Sequence, residues 1–130
     1  MKQTYLILVL SLFFSCTAFS QSNSLPVKSL TPAEFKKIID AKSALVIDVR
    51  TPEEFSEGHI PGAVNIDVKS DDFVNQIKKL TKHKTLALYC RSGHRSKIAA
   101  SKIAGLGFVI YDLDNGFKDW VQAGFPTTKK

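Results

Sequence analysis

Between residues 86 and 96 the chain reads LALYCRSGHRS, an apolar run followed by a polar loop that contains a glycine. The apolar run is typical of a strand buried on both faces of a parallel sheet. Ser96 then opens a segment reaching Leu106 whose apolar residues recur at helical spacing. Strand, compact loop and helix therefore follow one another directly, with Cys90 at the carboxyl end of the strand. Ligands of open α/β sheets bind at that edge.

The rest of the chain alternates in the same way. Thr31 to Glu34 and Thr51 to Glu54 are capping boxes with proline at the first helical position. They predict one helix from Pro32 to about Ala41 and a second, shorter one that Gly58 ends in a left-handed conformation. Further helices are predicted after a cap at Asp71 or Asp72, over 96–106 and over 117–123. Strands are predicted near Val27 and over 44–47, 63–66, 85–89 and 108–111. This pattern predicts an α/β fold with a five-stranded parallel sheet and helices on both faces, in three layers.

Length and composition exclude several classes of protein. One hundred and thirty residues allow one domain, and 44% hydrophobic with 23% charged residues is close to the average for a folded soluble protein. Two cysteines do not make a disulfide-rich scaffold. The net charge of +6 comes from scattered lysines without interleaved aromatic residues, so we expect no nucleic-acid partner.

The first twenty residues resemble a signal peptide. Lys2 precedes an apolar run from Tyr5 to Phe14, and Ala18-Phe19-Ser20 fits a cleavage site before Gln21. We therefore expect residues 1–20 to be a signal peptide and 21–130 to form the domain, which would be periplasmic or secreted and free of the membrane after cleavage. Two alternatives stay open: a lipid-modified Cys16, and an uncleaved membrane anchor.

Cleavage would leave Cys90 as the one thiol, in a compartment where thiols are usually paired. A buried, inert cysteine is one explanation. The other is a nucleophile, because a helix beginning next to the loop aims backbone N–H groups at one point and favours a thiolate there. Arg91 and Arg95 would add to this effect if their side chains turn inward. We expect Cys90 at the rim of this cradle.

Three segments together carry a resemblance to a known family. They are Cys90 to Ser96; Ile47 to Arg50 with Pro52 to Phe55 and Gly58 to Ile66; and Asn115 to Trp120 with Ala123 to Pro126. In this order, and across nearly all of the mature chain, they resemble the single-domain rhodaneses, a family of sulfurtransferases. The signal peptide makes the chain similar to the exported, periplasmic members.

The resemblance implies a rhodanese-like fold and a thiosulfate sulfurtransferase activity. Cys90 would attack the outer sulfur of thiosulfate, sulfite would leave, and a persulfide would await cyanide or a thiol acceptor. The donor would bind in the loop of Arg91, Ser92, Gly93, His94, Arg95 and Ser96. Arg91 would hold the sulfonate end, and Arg95 would do the same or fix the loop. No cofactor or metal is implied, the partners are a small anionic sulfur donor and a thiol or cyanide, and we expect a monomer.

Three other functions compete with sulfur transfer. Cysteine-dependent phosphatases of related fold carry an arginine six positions after the cysteine, where this chain has Ser96 and its arginine, Arg95, comes one residue early. A non-catalytic sulfur-carrier or binding module is the second alternative, although such modules often lack the cysteine. A thiol-disulfide redox protein usually needs a second nearby cysteine.

Several conspicuous residues are interpreted as structural. The three histidines lack metal-ligand spacing with other donors, so we expect no zinc site. We expect Arg50 to pair with Glu54 or Glu57 near the end of a strand. Phe117 and Trp120 should pack against the sheet, because aromatic residues at helical spacing usually face the core.

Overall fold

The computed structural model describes residues 17–18, 25–80 and 82–130. Three features predicted from the sequence lie outside the described residues: the expected signal peptide (apart from residues 17 and 18), its expected cleavage site before Gln21, and Cys16. No helix within these ranges combines the length and the apolarity that crossing a bilayer requires.

Within the described part of the chain, five strands alternate with five helices. The strands are β1 (Val27–Leu30), β2 (Leu45–Asp48), β3 (Val64–Asn65), β4 (Thr85–Tyr89) and β5 (Val109–Leu113). The helices are α1 (Pro32–Asp40), α2 (Pro52–Glu57), α3 (Phe73–Lys78), α4 (His94–Ile103) and α5 (Gly116–Gln122), with a 3-10 turn (Ala104–Leu106) after α4. All strand pairings are parallel, and the sheet order is β1-β5-β4-β2-β3. The predicted five-stranded parallel sheet is confirmed, and β4 lies at its centre.

Helices cover both faces of the sheet. Leu86, Leu88 and Cys90 belong to one apolar cluster, which α3 and α4 complete. Ala87 and Tyr89 belong to a second cluster, which receives side chains of α1 and α5. Since neighbouring side chains of a strand point to opposite faces, β4 contributes to both clusters in alternation. The predicted three-layer architecture is confirmed.

Local capping signals explain the starts of α1 and α2, and two other expectations about helix ends and starts need correction. The Thr31 and Thr51 hydroxyls accept the backbone N–H groups of the residues three positions on, as the capping boxes predict. Gly58 follows α2, but its φ of 156° and ψ of 139° are not the left-handed helical conformation that was expected. Asp72 precedes α3 without a side-chain capping hydrogen bond.

The largest difference from the expected boundaries concerns α4. We expected it near Ser96, but it begins at His94, directly after Gly93. The reason is that Gly93 adopts a left-handed conformation (φ 96°) and turns the chain into the helix at once. This shortens the loop after Cys90 to three residues and brings the amino end of α4 close to the sulfur.

Candidate active site

The loop after β4 wraps around the sulfur of Cys90. The Gly93 N–H donates to Cys90 Sγ at 3.1 Å, and the thiol donates to Ser96 Oγ at 3.6 Å. Ser96 Oγ in turn donates to the Gly93 carbonyl at 3.2 Å. Because a hydroxyl rotates freely between donor and acceptor roles, Ser96 is able to donate to the sulfur once the thiol loses its proton.

Cys90 lies at the bottom of this loop and not at its rim. The residue is 1% exposed and belongs to the apolar cluster beneath the sheet's carboxyl edge. The expectation of an exposed position was therefore wrong, since the strand that carries Cys90 is central and covered on both faces. The predicted backbone donor is nevertheless present, so the sulfur is buried in contact with a peptide N–H.

The carbonyl groups of the loop are held away from the sulfur by the segment that follows β5. Phe117 N–H donates to the Cys90 carbonyl at 2.8 Å, and Lys118 N–H donates to the Arg91 carbonyl at 3.0 Å. Gly116 makes this contact possible, because a Cβ there would lie 2.6 Å from backbone atoms of Cys90 and Arg91. With its carbonyls bound outward, the loop is free to direct N–H groups inward.

Gly93 is fixed by a second close approach. A Cβ at this position would lie 1.8 Å from the Asp114 carbonyl oxygen, far inside any real contact. Its left-handed φ already disfavours other residues. The β5-to-α5 turn therefore packs directly against the loop, and the sequence reasoning missed this role. The signal that could have found it is Gly116 inside the closing block of the family resemblance.

Arg95 fixes the loop to α2. Its guanidinium donates to both carboxylate oxygens of Glu54, at 2.7 and 2.9 Å. Hydrogen bonds from Arg95 lower the pKa of Glu54 to about 2, against the opposing effect of partial burial. The sequence left two roles open for Arg95, binding the donor or fixing the loop. The contacts with Glu54 agree with the second role. Glu54, which the sequence suggested as a helix-capping residue and as a possible partner of Arg50, instead joins α2 to the active loop.

Arg91 is the exposed arginine of the loop. It lines a cleft of about 460 Å³ together with Phe117 and Lys118. Ser92 and His94 are also exposed. Of the seven predicted site residues, the structure buries Cys90, Gly93 and Ser96 together and leaves Arg91, Ser92 and His94 on the surface, with Arg95 half-buried between them.

Arg50 is buried below the same cleft, with a partner that the sequence reasoning did not choose. It pairs with Asp48, not with Glu54 or Glu57: Nη2 lies 2.6 Å from Oδ2 and Nε 3.0 Å from Oδ1. The guanidinium lies over the ring of Phe117, 4.4 Å from its centroid. Asp48 is the partner because it ends β2 and its carboxylate faces Arg50, whereas the carboxylate of Glu54 pairs with Arg95. As a consequence Arg50 is neutralised within the wall of the cleft.

No second thiol and no imidazole contacts Cys90 among the described residues. His59 faces the carbonyls of Phe55 and Lys130 instead, each at 2.8 Å. Nor do the described ranges contain a group of three histidine, cysteine, aspartate or glutamate side chains suited to a metal ion. The chemistry that the described site supports is that of a buried sulfur that accepts a hydrogen bond from the Gly93 N–H, with an exposed arginine in the same loop.

Comparison with known proteins agrees with this arrangement. The model of the Rhodanese-like domain family matches residues 31–123. Thiosulfate sulfurtransferase GlpE of Ectopseudomonas mendocina is 36% identical over 104 residues, which cover 73% of this chain and 92% of that protein. A rhodanese-related protein of Thermoplasma volcanium has a solved structure with a TM-score of 0.71 and 30% identity, covering 79% of this chain and 99% of that one.

The same domain also matches part of larger proteins. The HTH-type transcriptional regulator Rv0324 of Mycobacterium tuberculosis is 31% identical over 103 residues, and the chain spans 45% of its length. These relatives differ in their named activities, but they share the domain that covers residues 31–123. The match extends over most of this chain and includes Cys90, its loop and the closing turn. The chain therefore belongs to the rhodanese-like domain family.

Proposed function

We propose that this protein is a sulfurtransferase that carries sulfane sulfur as a persulfide on Cys90. The Cys90 thiolate attacks the outer sulfur of thiosulfate, the S–S bond of the donor breaks, and sulfite leaves with the bonding electron pair. The persulfide then gives its outer sulfur to cyanide, forming thiocyanate, or to a thiolate, forming a new persulfide. Either acceptor step returns the Cys90 thiolate, so the cycle needs no oxidant or reductant.

The observation that carries this proposal is the 3.1 Å contact between Gly93 N–H and Cys90 Sγ at the amino end of α4. A thiolate and a persulfide are both anions, and a helix amino end with free N–H groups stabilises anions. The added sulfur would lie about 2.05 Å beyond Sγ. The burial of Cys90 favours a small donor.

Arg91 is the residue that we propose to bind the donor. It is exposed at the cleft, while Arg50 is neutralised by Asp48 and Arg95 by Glu54. A guanidinium without a carboxylate partner is suited to hold the sulfonate group in a bidentate manner. Lys118, on the same cleft wall, adds a second positive charge.

Intact-mass measurement after incubation with thiosulfate tests the proposal. The wild-type protein should gain the mass of one sulfur atom and lose it again when cyanide is added, with thiocyanate formed. Cys90→Ala should gain nothing. A wild-type protein that gains no sulfur and makes thiocyanate only at background would contradict the proposal.

Turnover to thiocyanate and release of phosphate separate sulfur transfer from the two alternative functions. A non-catalytic binding or carrier module would hold or bind sulfur without turnover. A phosphatase would release phosphate from an aryl phosphate, and Cys90→Ala would abolish the release. The buried position of Cys90 and the serine six residues after it both argue against this bulkier substrate.

We also propose that the protein acts after export, in the periplasm or outside the cell. The support is the sequence of residues 1–20 alone. Determination of the mature amino terminus in the native source tests this: a terminus at Gln21 agrees with cleavage, and a lipid-bearing Cys16 or an intact Met1 contradicts it.

A further inference from the structure

Lys97 ties the active loop to the end of β5. Its Nζ donates to Asp112 Oδ2 at 3.0 Å and to Asp114 Oδ1 at 3.1 Å. It also contacts two backbone carbonyls, that of Asp114 at 3.2 Å and that of Gly93 at 3.4 Å. One ammonium group therefore joins the end of β5 to Gly93, the residue whose N–H group contacts the Cys90 sulfur.

Partial burial acts to lower the pKa of Lys97, but hydrogen bonds to Asp112 and Asp114 outweigh it and leave that pKa raised. The ammonium is therefore charged at neutral pH. Gly93 is the point of contact, because its N–H donates to Cys90 Sγ while its carbonyl faces Lys97. A shift of this residue would change the position of the sulfur's donor.

Asp112 holds this lysine with a carboxylate whose burial costs free energy. Its side chain is fully buried, and Oδ1 has no hydrogen-bond partner among the described residues. The other oxygen, Oδ2, is shared between Lys97 and, at 3.4 Å, the Ser29 hydroxyl. Buried polar atoms are normally satisfied, and rules of this kind are broken mainly where function requires it. A buried carboxylate with one unpaired oxygen contributes less to stability than a fully hydrogen-bonded one.

We propose that Lys97, anchored by Asp112, is a positioning residue that holds Gly93 through its carbonyl group, so that the N–H group of the same residue stabilises the Cys90 thiolate and persulfide. This inference deepens the proposed sulfur transfer and rests on it. Lys97 touches neither the sulfur nor the donor, and it acts through the loop backbone. Removing the Lys97 side chain should leave every residue around the sulfur in place but should weaken the stabilisation of the Cys90 thiolate and persulfide.

A positive charge near a thiolate also acts through space, and that effect must be distinguished from positioning. Long-range attraction between charges is screened by salt, with a Debye length of about 3 Å at about 1 M salt. A peptide held by direct hydrogen bonds is far less sensitive to salt. The difference between low and high salt therefore separates the two effects.

The test measures the rate at which iodoacetamide alkylates Cys90 between about pH 5 and pH 9, since the thiolate is the reacting species. The variants are Lys97→Met, Lys97→Arg and Asp112→Asn. The matched control is Lys102→Met, which lies on the same helix and donates to the Val68 carbonyl, away from the loop. Thermal unfolding of each variant shows whether it is folded under the conditions of the assay.

Lys97→Met should be alkylated about three- to tenfold more slowly at neutral pH, as expected for one weakened hydrogen bond to a charged group, and its profile should move to higher pH. Asp112→Asn should move the profile in the same direction, and the effect should persist in high salt. Lys97→Arg should restore the rate to within about twofold, because its guanidinium reaches both partners. Lys102→Met should match the wild type.

Three results would overturn the inference: a wild-type profile in Lys97→Met, a shift that vanishes in high salt, or an equal shift in Lys102→Met. If Lys97→Met does not fold, Asp112→Asn carries the same test, since it keeps the shape of the buried side chain. The alkylation assay needs no sulfur donor. A protein that shows the Lys97 effect but takes no sulfur from thiosulfate would refute the proposed function and leave the positioning role standing.

Discussion

The two edges of the parallel sheet differ in the positively charged residues that they carry. All three arginines of the chain, Arg50, Arg91 and Arg95, lie at the carboxyl edge around Cys90. The amino edge has a larger cavity, about 520 Å³ against about 460 Å³, and its lining includes Lys42, Lys82, His83 and Lys84. Among the described residues, no carboxylate pairs with these lysines. By volume and net charge, the amino edge would be the better anion site.

Backbone direction explains why the chemistry lies at the other edge. Helices between parallel strands run back against the sheet, so their amino ends meet at the carboxyl edge and their carboxyl ends at the amino edge. Lys37 and Lys78, in the last turns of α1 and α3, complement the negative ends of those helices. The amino end of α4, in contrast, is left to the Cys90 sulfur. Free N–H groups, more than volume or side-chain charge, distinguish the two edges.

The comparison predicts that two glycines with nearly the same φ will differ greatly. Gly93→Ala places a methyl group 1.8 Å from the Asp114 carbonyl, whereas Gly107→Ala, at the amino edge, meets nothing within 4 Å. Gly107→Ala should cost about 1 kcal/mol of unfolding free energy from backbone conformation alone. Gly93→Ala should cost about 3 kcal/mol or more and abolish sulfur transfer. Urea unfolding and the thiocyanate assay measure both effects, and equal losses would contradict the tight packing of the active loop.

The Glu54 to Arg95 ion pair predicts an acid-dependent loss of stability at the carboxyl edge. The pKa of Glu54 is about 2 in the folded protein and about 4.3 when unfolded, so its contribution is complete above about pH 4.3 and is lost as the pH falls towards 2. After allowance for solvent screening it should amount to about 1–2 kcal/mol. Glu54→Gln should therefore be less stable than the wild type at neutral pH, and its stability should fall less between pH 5 and 2.

Urea unfolding at a series of pH values measures this contribution. Glu53→Gln is the matched control, since Glu53 lies beside Glu54 in the first turn of α2 but is exposed and outside the ion pair. It should keep the wild-type dependence on pH. A Glu54→Gln variant with the same dependence as the wild type would show that the pair does not tie α2 to the loop in solution.

Arg91→Ala tests which arginine at this edge binds the donor. We expect about a five- to tenfold rise in the KM for thiosulfate, the loss of one charged hydrogen-bonding partner. The rate of sulfur transfer from preformed persulfide to cyanide should change less, because that step involves no sulfonate. Steady-state kinetics and a single-turnover assay of the persulfide measure the two steps. Equal effects on both would remove the role that we assign to Arg91.

The smallest effect is expected at the amino edge. The double variant Lys82→Gln with Lys84→Gln removes two positive charges from the larger cavity, yet kcat/KM for thiosulfate should stay within about twofold of the wild type. Unfolding free energy should change by no more than about 0.5 kcal/mol, as is usual for exposed positions. A loss as large as that of Arg91→Ala would mean that overall charge, and not the position of N–H groups and Arg91, governs donor binding.

Much of the carboxyl edge was predictable because its signals are local. The alternation of short apolar runs with capped helices predicted the parallel sheet, and the position of Cys90 directly after β4 placed it at the binding edge. Where the prediction was wrong, a distant residue intervened. Arg50 pairs with Asp48 because Arg95, forty-one positions along the chain from Glu54, occupies that carboxylate. The start of α4 moved to His94 because Gly93 turns against Asp114, which belongs to another element.

The amino-acid sequence by itself determined which apolar runs form buried strands and where the capped helices begin. It also determined that Cys90 directly follows one of those runs. These are properties of neighbouring residues, set by side-chain periodicity and by capping. Only the tertiary structure decided that Cys90 is buried, that the N–H groups of Phe117 and Lys118 bind the loop carbonyls, and that Asp112 anchors Lys97. Most of these contacts join residues that are far apart in the sequence, and the physical reason is that a parallel sheet brings the ends of separate strands together. Spacing along the chain does not record that approach.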